Sequence, residues 1–340
     1  MTRFSITRRG LMLGAGAGAG LALAAPGIGR LRAAASDGDG PFVVEHGLGR
    51  TVIPRRPSRV ATVAWANHEA PLALGVVPVG FARANFGDDD GDGLLPWTAA
   101  RLAELGAPAP TLYDEGDGID FERVAASTPD VILAAYSGLS QGDYDTLSSI
   151  APTVAWGDGP WATGWREMIR LNAAGMGRAA EGEALVAGLD ARIAAAAASR
   201  PELAGRTAMF VTHLDARDLS VIRFYTGQDP RVRFLADLGL RAPEAVRAAE
   251  TGGRYAGEIS VERIDAFADV DILVTYGGEA LMERLRANPV TRLMPAVARD
   301  AVVMLSNGPA GTAANPTPLS IPWVLDGYAD RLADAARKAG

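Results

Sequence analysis

The chain has 340 residues, of which 48% are hydrophobic and 21% charged, and a formal net charge of −7. This length allows two or three domains of ~150 residues each and buries a core easily. The acidic balance excludes a phosphate-tracking surface, so nucleic acid is not an expected partner, and the absence of cysteine excludes a disulfide framework or thiolate site.

Residues 1–35 are a different material: they hold Arg3, Arg8, Arg9, Arg30 and Arg32 and no acid. Thr7-Arg8-Arg9-Gly10-Leu11-Met12 is a twin-arginine pattern, Leu11 to Ala25 is a mildly apolar Gly/Ala run, and Ala33-Ala34-Ala35 offers a cleavage site before Ser36. The run is too short and glycine-rich for a span of ~20 apolar residues. The expectation is a removed signal peptide on a periplasmic protein, with no cysteine for lipid attachment. Its loss leaves a net charge of about −12.

Phe42 to Ile53 alternates apolar and polar residues around Gly47 and Gly49, as a hairpin does. Val60 to Ala64 reads as a strand, Glu69 to Leu74 as a helix, and Val76 to Gly80 as the start of the next strand. Leu102 to Leu105 closes a helix that Gly106-Ala107-Pro108 stops. Phe121 to Ala126 is helical, Val131 to Ala135 a strand and Tyr144 to Ile150 a helix, before Ala151 to Val154 returns to the sheet. Thr163 to Ser199 is a long Ala-rich stretch, read as one connecting helix with a candidate break at Gly175-Met176-Gly177. Alternation then resumes through Ala208–Thr212, Leu219–Tyr225, Val232–Leu238, Leu281–Leu285 and Val302–Leu305, and a final helix runs from Ile321 to Ala336. The expected fold is α/β, with parallel or mixed sheets and helices on both faces. The expected division is an N-terminal lobe over 41–160, a connecting helix over 161–200 and a C-terminal lobe over 201–340.

Phe121-Glu122-Arg123-Val124 before Pro129-Asp130-Val131-Ile132-Leu133 is matched by Val261-Glu262-Arg263-Ile264 before Val270-Asp271-Ile272-Leu273-Val274. The repeat suggests two similar lobes with one surface glutamate each, which suits a two-fold partner. Solvated glutamates at helix starts would explain either one alone, but less readily their recurrence.

Gly138-Leu139-Ser140-Gln141-Gly142 matches the Gly-x-Ser-x-Gly nucleophile elbow. A secreted serine hydrolase built on Ser140 is the rival of another class. The absence of a His-Gly-Gly loop, with His213 as the sole downstream histidine, argues against it. Asp88-x-Asp90-x-Asp92-Gly93 copies half a calcium loop, but its twelfth position is Ala99, so a solvated acidic loop is expected. Three histidines (His46, His68, His213) and no cysteine disfavour a direct zinc or copper site. Trp65, Arg83, Tyr136, Trp161, Trp165, Tyr225, Arg254, Tyr255 and Tyr276 mostly fall just past predicted strands. Such positions line the crevice of an α/β protein and suit a bulky organic ligand. For the i,i+4 pair Trp161 and Trp165, packing competes with ligand contact.

These residues carry a family likeness. His46-Gly47-x-Gly49-x-Thr51-x-Ile53-Pro54, Pro57-x-Arg59-Val60, Trp65, Glu69 to Gly80, Pro129 to Leu133, Leu147 to Val154 and Leu319-Ser320-Ile321-Pro322 resemble, in chain order, iron-siderophore substrate-binding proteins of ABC transporters. The resemblance implies two Rossmann-like lobes joined by a single long helix, the class III periplasmic binding protein type, with a shallow cleft. It implies a non-enzymatic, monomeric protein with no intrinsic cofactor, whose transported ligand is a ferric siderophore and whose partner is an ABC permease. Glu122 and Glu262 stand where such proteins carry their permease-docking acids. Trp65 and Tyr136 match ligand contacts of the hydroxamate binders, and Arg83, Tyr225, Arg254, Tyr255 and Tyr276 complete the expected ligand set. An arginine those proteins place before the first-lobe glutamate is missing, because the segment reads Tyr113-Asp114-Glu115-Gly116-Asp117. The siderophore class therefore stays open, and haem or a corrinoid is the alternative cargo of the same fold.

Overall fold

The computed structural model describes residues 40–108, 110–215, 217–251 and 254–340, so the twin-arginine segment lies outside the described residues. The chain opens with an antiparallel hairpin of β1 (Phe42–His46) and β2 (Gly49–Ile53). Then follow β3 (Val60–Thr62), α1 (Glu69–Ala73), β4 (Gly80–Ala82), α2 (Pro96–Glu104), β5 (Thr111–Tyr113), α3 (Phe121–Ala126), β6 (Val131–Leu133), α4 (Gln141–Ile150) and β7 (Thr153–Val154). Five of these strands form a parallel sheet in the order β5-β4-β3-β6-β7. Every side chain of β3 and β6 is buried, as expected of parallel strands covered on both faces. Sheet order reverses direction between β3 and β6, a topological switch point whose carboxyl ends open a crevice.

The connector differs from the expected single rod. It is two helices, α5 (Trp165–Gly175) and α6 (Ala179–Ala198), packed on each other. The amide of Arg178 bonds Ala173 O, and Gly177 takes φ +65°, a left-handed turn that suits glycine. A Cβ on Gly182 would lie 2.5 Å from that of Ala173, so glycine is what lets the helices close. Helix α5 rests on β6 and β7.

The second half runs β8 (Ala208–Phe210), β9 (Val221–Tyr225), α7 (Pro230–Asp237), α8 (Glu244–Glu250), β10 (Ala256–Ser260), β11 (Ile272–Tyr276), α9 (Glu279–Ala287), α10 (Pro295–Ala298), β12 (Val302–Leu305), α11 (Pro309–Thr312) and α12 (Ser320–Ala339). Strands β12-β11-β8 form a parallel sheet, while β9 and β10 form an antiparallel ribbon joined to it through Val211 and Phe224. Helix α12 packs on α6, β11 and β12, tying the chain end to the connector and the second sheet. Two expected boundaries shift. Strand β4 starts at Gly80, not Val76, because Pro78 offers no amide. Helix α4 starts at Gln141 because Ser140 and Asp143 form a capping box. Among the described residues no helix is long and apolar enough to cross a membrane.

Candidate functional site

The crevice is built by a brace at the switch point. Asn67 is fully buried, and its Nδ2 donates to the carbonyls of Val63 (2.8 Å) and Tyr136 (2.9 Å). Its Oδ1 accepts from the Tyr136 amide (2.9 Å) and from Asn172 Nδ2 on α5 (3.1 Å). One side chain therefore locks the exits of β3 and β6 together. Ala64 (φ +60°) and Ala66 (φ +59°) flank Trp65 in left-handed conformations. These cost roughly 1–2 kcal/mol each for a residue with a Cβ, and such strain clusters at ligand sites. Glu115 accepts the Ala64 amide with both carboxylate oxygens, at 2.9 and 3.2 Å, and holds the turn.

A cavity of about 490 Å³ opens there, lined among others by Trp65, His68, Phe81, Arg83, Glu115 and Trp161. That volume suits a compact organic ligand. His68 is buried and stacked on Phe81 with ring centroids 4.2 Å apart, and burial depresses its pKa to about 3, so it enters the wall neutral. Trp161 is the exposed wall, 41% accessible, and stands edge-on to Tyr136 at 5.4 Å. Its indole covers Gly138, where a Cβ would sit 2.2 Å from Nε1. Gly138 of the elbow-like motif is thus a platform for a tryptophan. Ser140 is a helix cap whose hydroxyl donates to Asp143 Oδ2 at 2.7 Å. The expected i,i+4 pair separates: Trp161 precedes α5, whereas Trp165 is buried, with its indole N–H bonded to Asp237 on α7.

Across the crevice the second half contributes a polar aromatic cluster. Arg231 forks onto Asp229 (Nε to Oδ1 2.9 Å, Nη2 to Oδ2 2.7 Å), and Tyr255 donates to the same carboxylate at 2.5 Å. The guanidinium lies 4.0 Å over the Tyr225 ring, and its Nη1 reaches the Tyr276 hydroxyl at 3.4 Å. Burial works against the charged guanidinium, but the bonds to the fully buried Asp229 outweigh it and raise the Arg231 pKa. His213 stacks on Tyr276 at 4.4 Å, and Phe86, from the first half, stands edge-on to both. Asn315 Nδ2 donates to the Tyr136 hydroxyl at 3.4 Å, and Tyr136 feels the charges of Asp229 and Arg231. Tyr136 therefore sits at the floor between the halves, where burial pushes its pKa up to about 12.

Of the expected ligand set, Trp65 and Arg83 line the cavity, while Tyr225, Tyr255 and Tyr276 gather in the opposite cluster. Tyr136 and Tyr276 are buried beneath these surfaces rather than exposed on them. Arg254 is exposed, and its carbonyl accepts the Thr226 hydroxyl. Sequence reading missed Glu115, Asp229 and Arg231. Only the last pair had a signal, an Asp-Pro helix start directly after a strand, with Asp229 capping the amide of Arg231.

Glu122 is exposed in the first turn of α3, and Glu262 is exposed in a turn two residues past β10. Each follows a strand that runs toward the crevice end of its half, and each precedes an interior strand, β6 or β11. The acidic loop folds on itself: Asp88 accepts the amides of Gly91 and Gly93, and Asp92 that of Leu94. Its three carboxylates approach one another closely enough to suggest an ion, but these bonds account for the loop without one.

A family model for periplasmic binding proteins matches residues 60–307. The chain belongs to the periplasmic binding protein family. This periplasmic binding protein is 40% identical to PiaA of Streptococcus pneumoniae TIGR4, whose crystal structure is in complex with ferrichrome. The match has a TM-score of 0.83 and covers 88% of this chain and 99% of that one. A periplasmic solute binding protein from Mycobacterium smegmatis is 25% identical, with a TM-score of 0.73 over 88% of this chain and 99% of that one. Among curated proteins, the probable siderophore-binding lipoprotein YfiY of Bacillus subtilis is 28% identical over 203 residues, 59% of this chain and 57% of that protein's length. This periplasmic binding protein thus spans little more than half of that relative.

Proposed function

We propose that this chain is an extracytoplasmic solute-binding protein that captures a ferric siderophore and delivers it to an ABC importer. The observation that carries the reading is the cavity at the switch point, walled by Trp65 and Trp161, with the Arg231 guanidinium in the aromatic cluster across the crevice. Aromatic faces cover the organic shell of a chelate, and a guanidinium donates to its iron-binding oxygens. The similarity to PiaA, crystallised with ferrichrome, supports that ligand class. In this reading the lobes are residues 41–160 and 201–340, the protein is a monomer exported by the twin-arginine route, and no bond is made or broken. Haem is less well served, since Tyr255 and Tyr276 already bond Asp229 and Arg231.

Titration of the protein with ferrichrome should quench tryptophan fluorescence saturably, and Trp65→Phe and Trp161→Phe should each remove part of the signal. If no ferric hydroxamate, catecholate or carboxylate chelate changes the emission, the proposal fails. A Soret shift with haem in place of that response would instead favour the haem reading.

Arg231→Met should weaken ferrichrome binding by about 10- to 100-fold, the worth of hydrogen bonds from a charged donor. Calorimetry checks this, and an unchanged Kd would remove Arg231 from the site.

A further inference from the structure

The wall carrying Trp65 also carries a carboxylate that, among the described residues, forms no salt bridge. Glu115 is half-buried in the loop after β5, lines the cavity, and bonds the Ala64 amide through both oxygens. Its pKa is raised to about 7, by burial first and by the neighbouring Asp120 second. Arg83 lines the same cavity, yet none of the influences on Glu115 is a cation. Asp143 also lines the cavity, but it is committed to the amide and hydroxyl of Ser140. Two acidic segments adjoin lining residues along the chain: Asp114 to Asp120 around Glu115, and the Asp88 to Asp92 loop, which runs into Gly93 and Leu94. Across the crevice, Arg231 is neutralised by Asp229, and His213 is stacked on Tyr276. Among the described residues, Arg83 is thus the one cationic side chain in a lining that carries two acidic ones, since His68 is neutral there.

We infer that Glu115 selects cargo by charge, so that the site accepts neutral and cationic ferric hydroxamate chelates and discriminates against anionic ones. The inference rests on the siderophore reading and narrows its substrate class. A cargo bearing a carboxylate or excess catecholate charge would place like charges close together in a partly desolvated cavity, where repulsion is much stronger than in water. A cargo bearing an ammonium would gain by the same geometry. Protonation of Glu115 below neutral pH weakens the discrimination.

One linear trihydroxamate scaffold supplies the test: ferrioxamine B with its free amine, its N-acetyl form and its N-succinyl form, which differ chiefly in terminal charge. At pH 8 the wild type should prefer the amine form over the succinyl form by about tenfold or more. Glu115→Gln keeps an acceptor for the Ala64 amide and should cut that ratio to about threefold or less, while Glu115→Asp should restore much of it. Between pH 8 and pH 5.5 the wild-type ratio should shrink, and the Gln variant should show little such change. The last arm separates Glu115 from His213, which stays in both proteins. A ratio unmoved by Glu115→Gln, or a wild type that prefers the succinyl form, would overturn the inference and leave siderophore binding standing. Binding of ferrichrome but of none of the three linear chelates would also overturn it. Failure to bind any of the four would overturn the inference, and failure of ferric catecholate and carboxylate chelates as well would overturn the siderophore reading itself.

Discussion

Replacing Glu69 by Ala should cost this protein about 3–5 kcal/mol of stability and lower its Tm by roughly 10 °C. Glu69 is fully buried in α1. Its Oε1 accepts the Trp97 indole N–H at 2.7 Å, and its Oε2 accepts the Leu319 amide at 2.9 Å and the Thr317 hydroxyl. One carboxyl thus joins α1, α2 and the segment that leads into α12. Removing it leaves these donors buried without an acceptor, and each such orphan costs about 1–3 kcal/mol. Urea unfolding checks the loss, and a change under 1 kcal/mol would show that water replaces the carboxyl at little cost. The charge has its own signature. Burial, only partly offset by these hydrogen bonds, raises the Glu69 pKa from 4.5 to about 7, so the folded state holds the proton more tightly than the unfolded chain. The stabilisation is complete below pH 4.5 and is lost as pH rises through 7, and the span is worth about 3 kcal/mol. Glu115 contributes with the same sign. Glu69→Gln should therefore be less stable than wild type at pH 5 but should lose less between pH 5 and pH 8. An equal slope in both proteins would assign the titration elsewhere.

Neither clasp nor cluster could have been read from local pattern. The hairpin, β3, α3, β6 and α12 were legible because each is punctuated by Gly, Pro or Asp and buried according to its own period. The connector was half legible: Gly175-Met176-Gly177 marked a break, but alanine-rich helix on both sides gave no sign that the chain folds back there. The ribbon of β9 and β10 was missed as a pair because 30 residues, with α7 and α8 among them, separate the paired ends Tyr225 and Ala256. Trp65 could be placed because it follows a strand at the switch point. Arg231 could not, because its aromatic partners at Tyr225 and Tyr276 come from strands of two different sheets. Glu69 and Thr317 meet across 248 residues, a contact only the tertiary fold creates. The same limit explains Ser140: the Gly-x-Ser-x-Gly spacing was real, but its first glycine makes room for Trp161 and its serine caps a helix.

Reversing both repeat glutamates, Glu122→Arg with Glu262→Arg, should abolish ferrichrome uptake in cells carrying the cognate importer while the purified protein still binds ferrichrome. Both side chains are exposed, and neither lines the cavity. Their settings correspond: each follows a strand directed toward the crevice and precedes an interior strand of its sheet by nine or ten residues. Single helix-start acids would show no such match, whereas a partner built from two like subunits would require it. Charge reversal is the sharper substitution, because removing an exposed acid costs one attraction, whereas an arginine adds repulsion against a basic partner surface. Either single reversal should weaken uptake, and the pair should eliminate it. A fall in ferrichrome affinity that matches the fall in uptake would place these residues at the cargo site instead. Full uptake by the double variant would return them to two solvated glutamates at the starts of short turns.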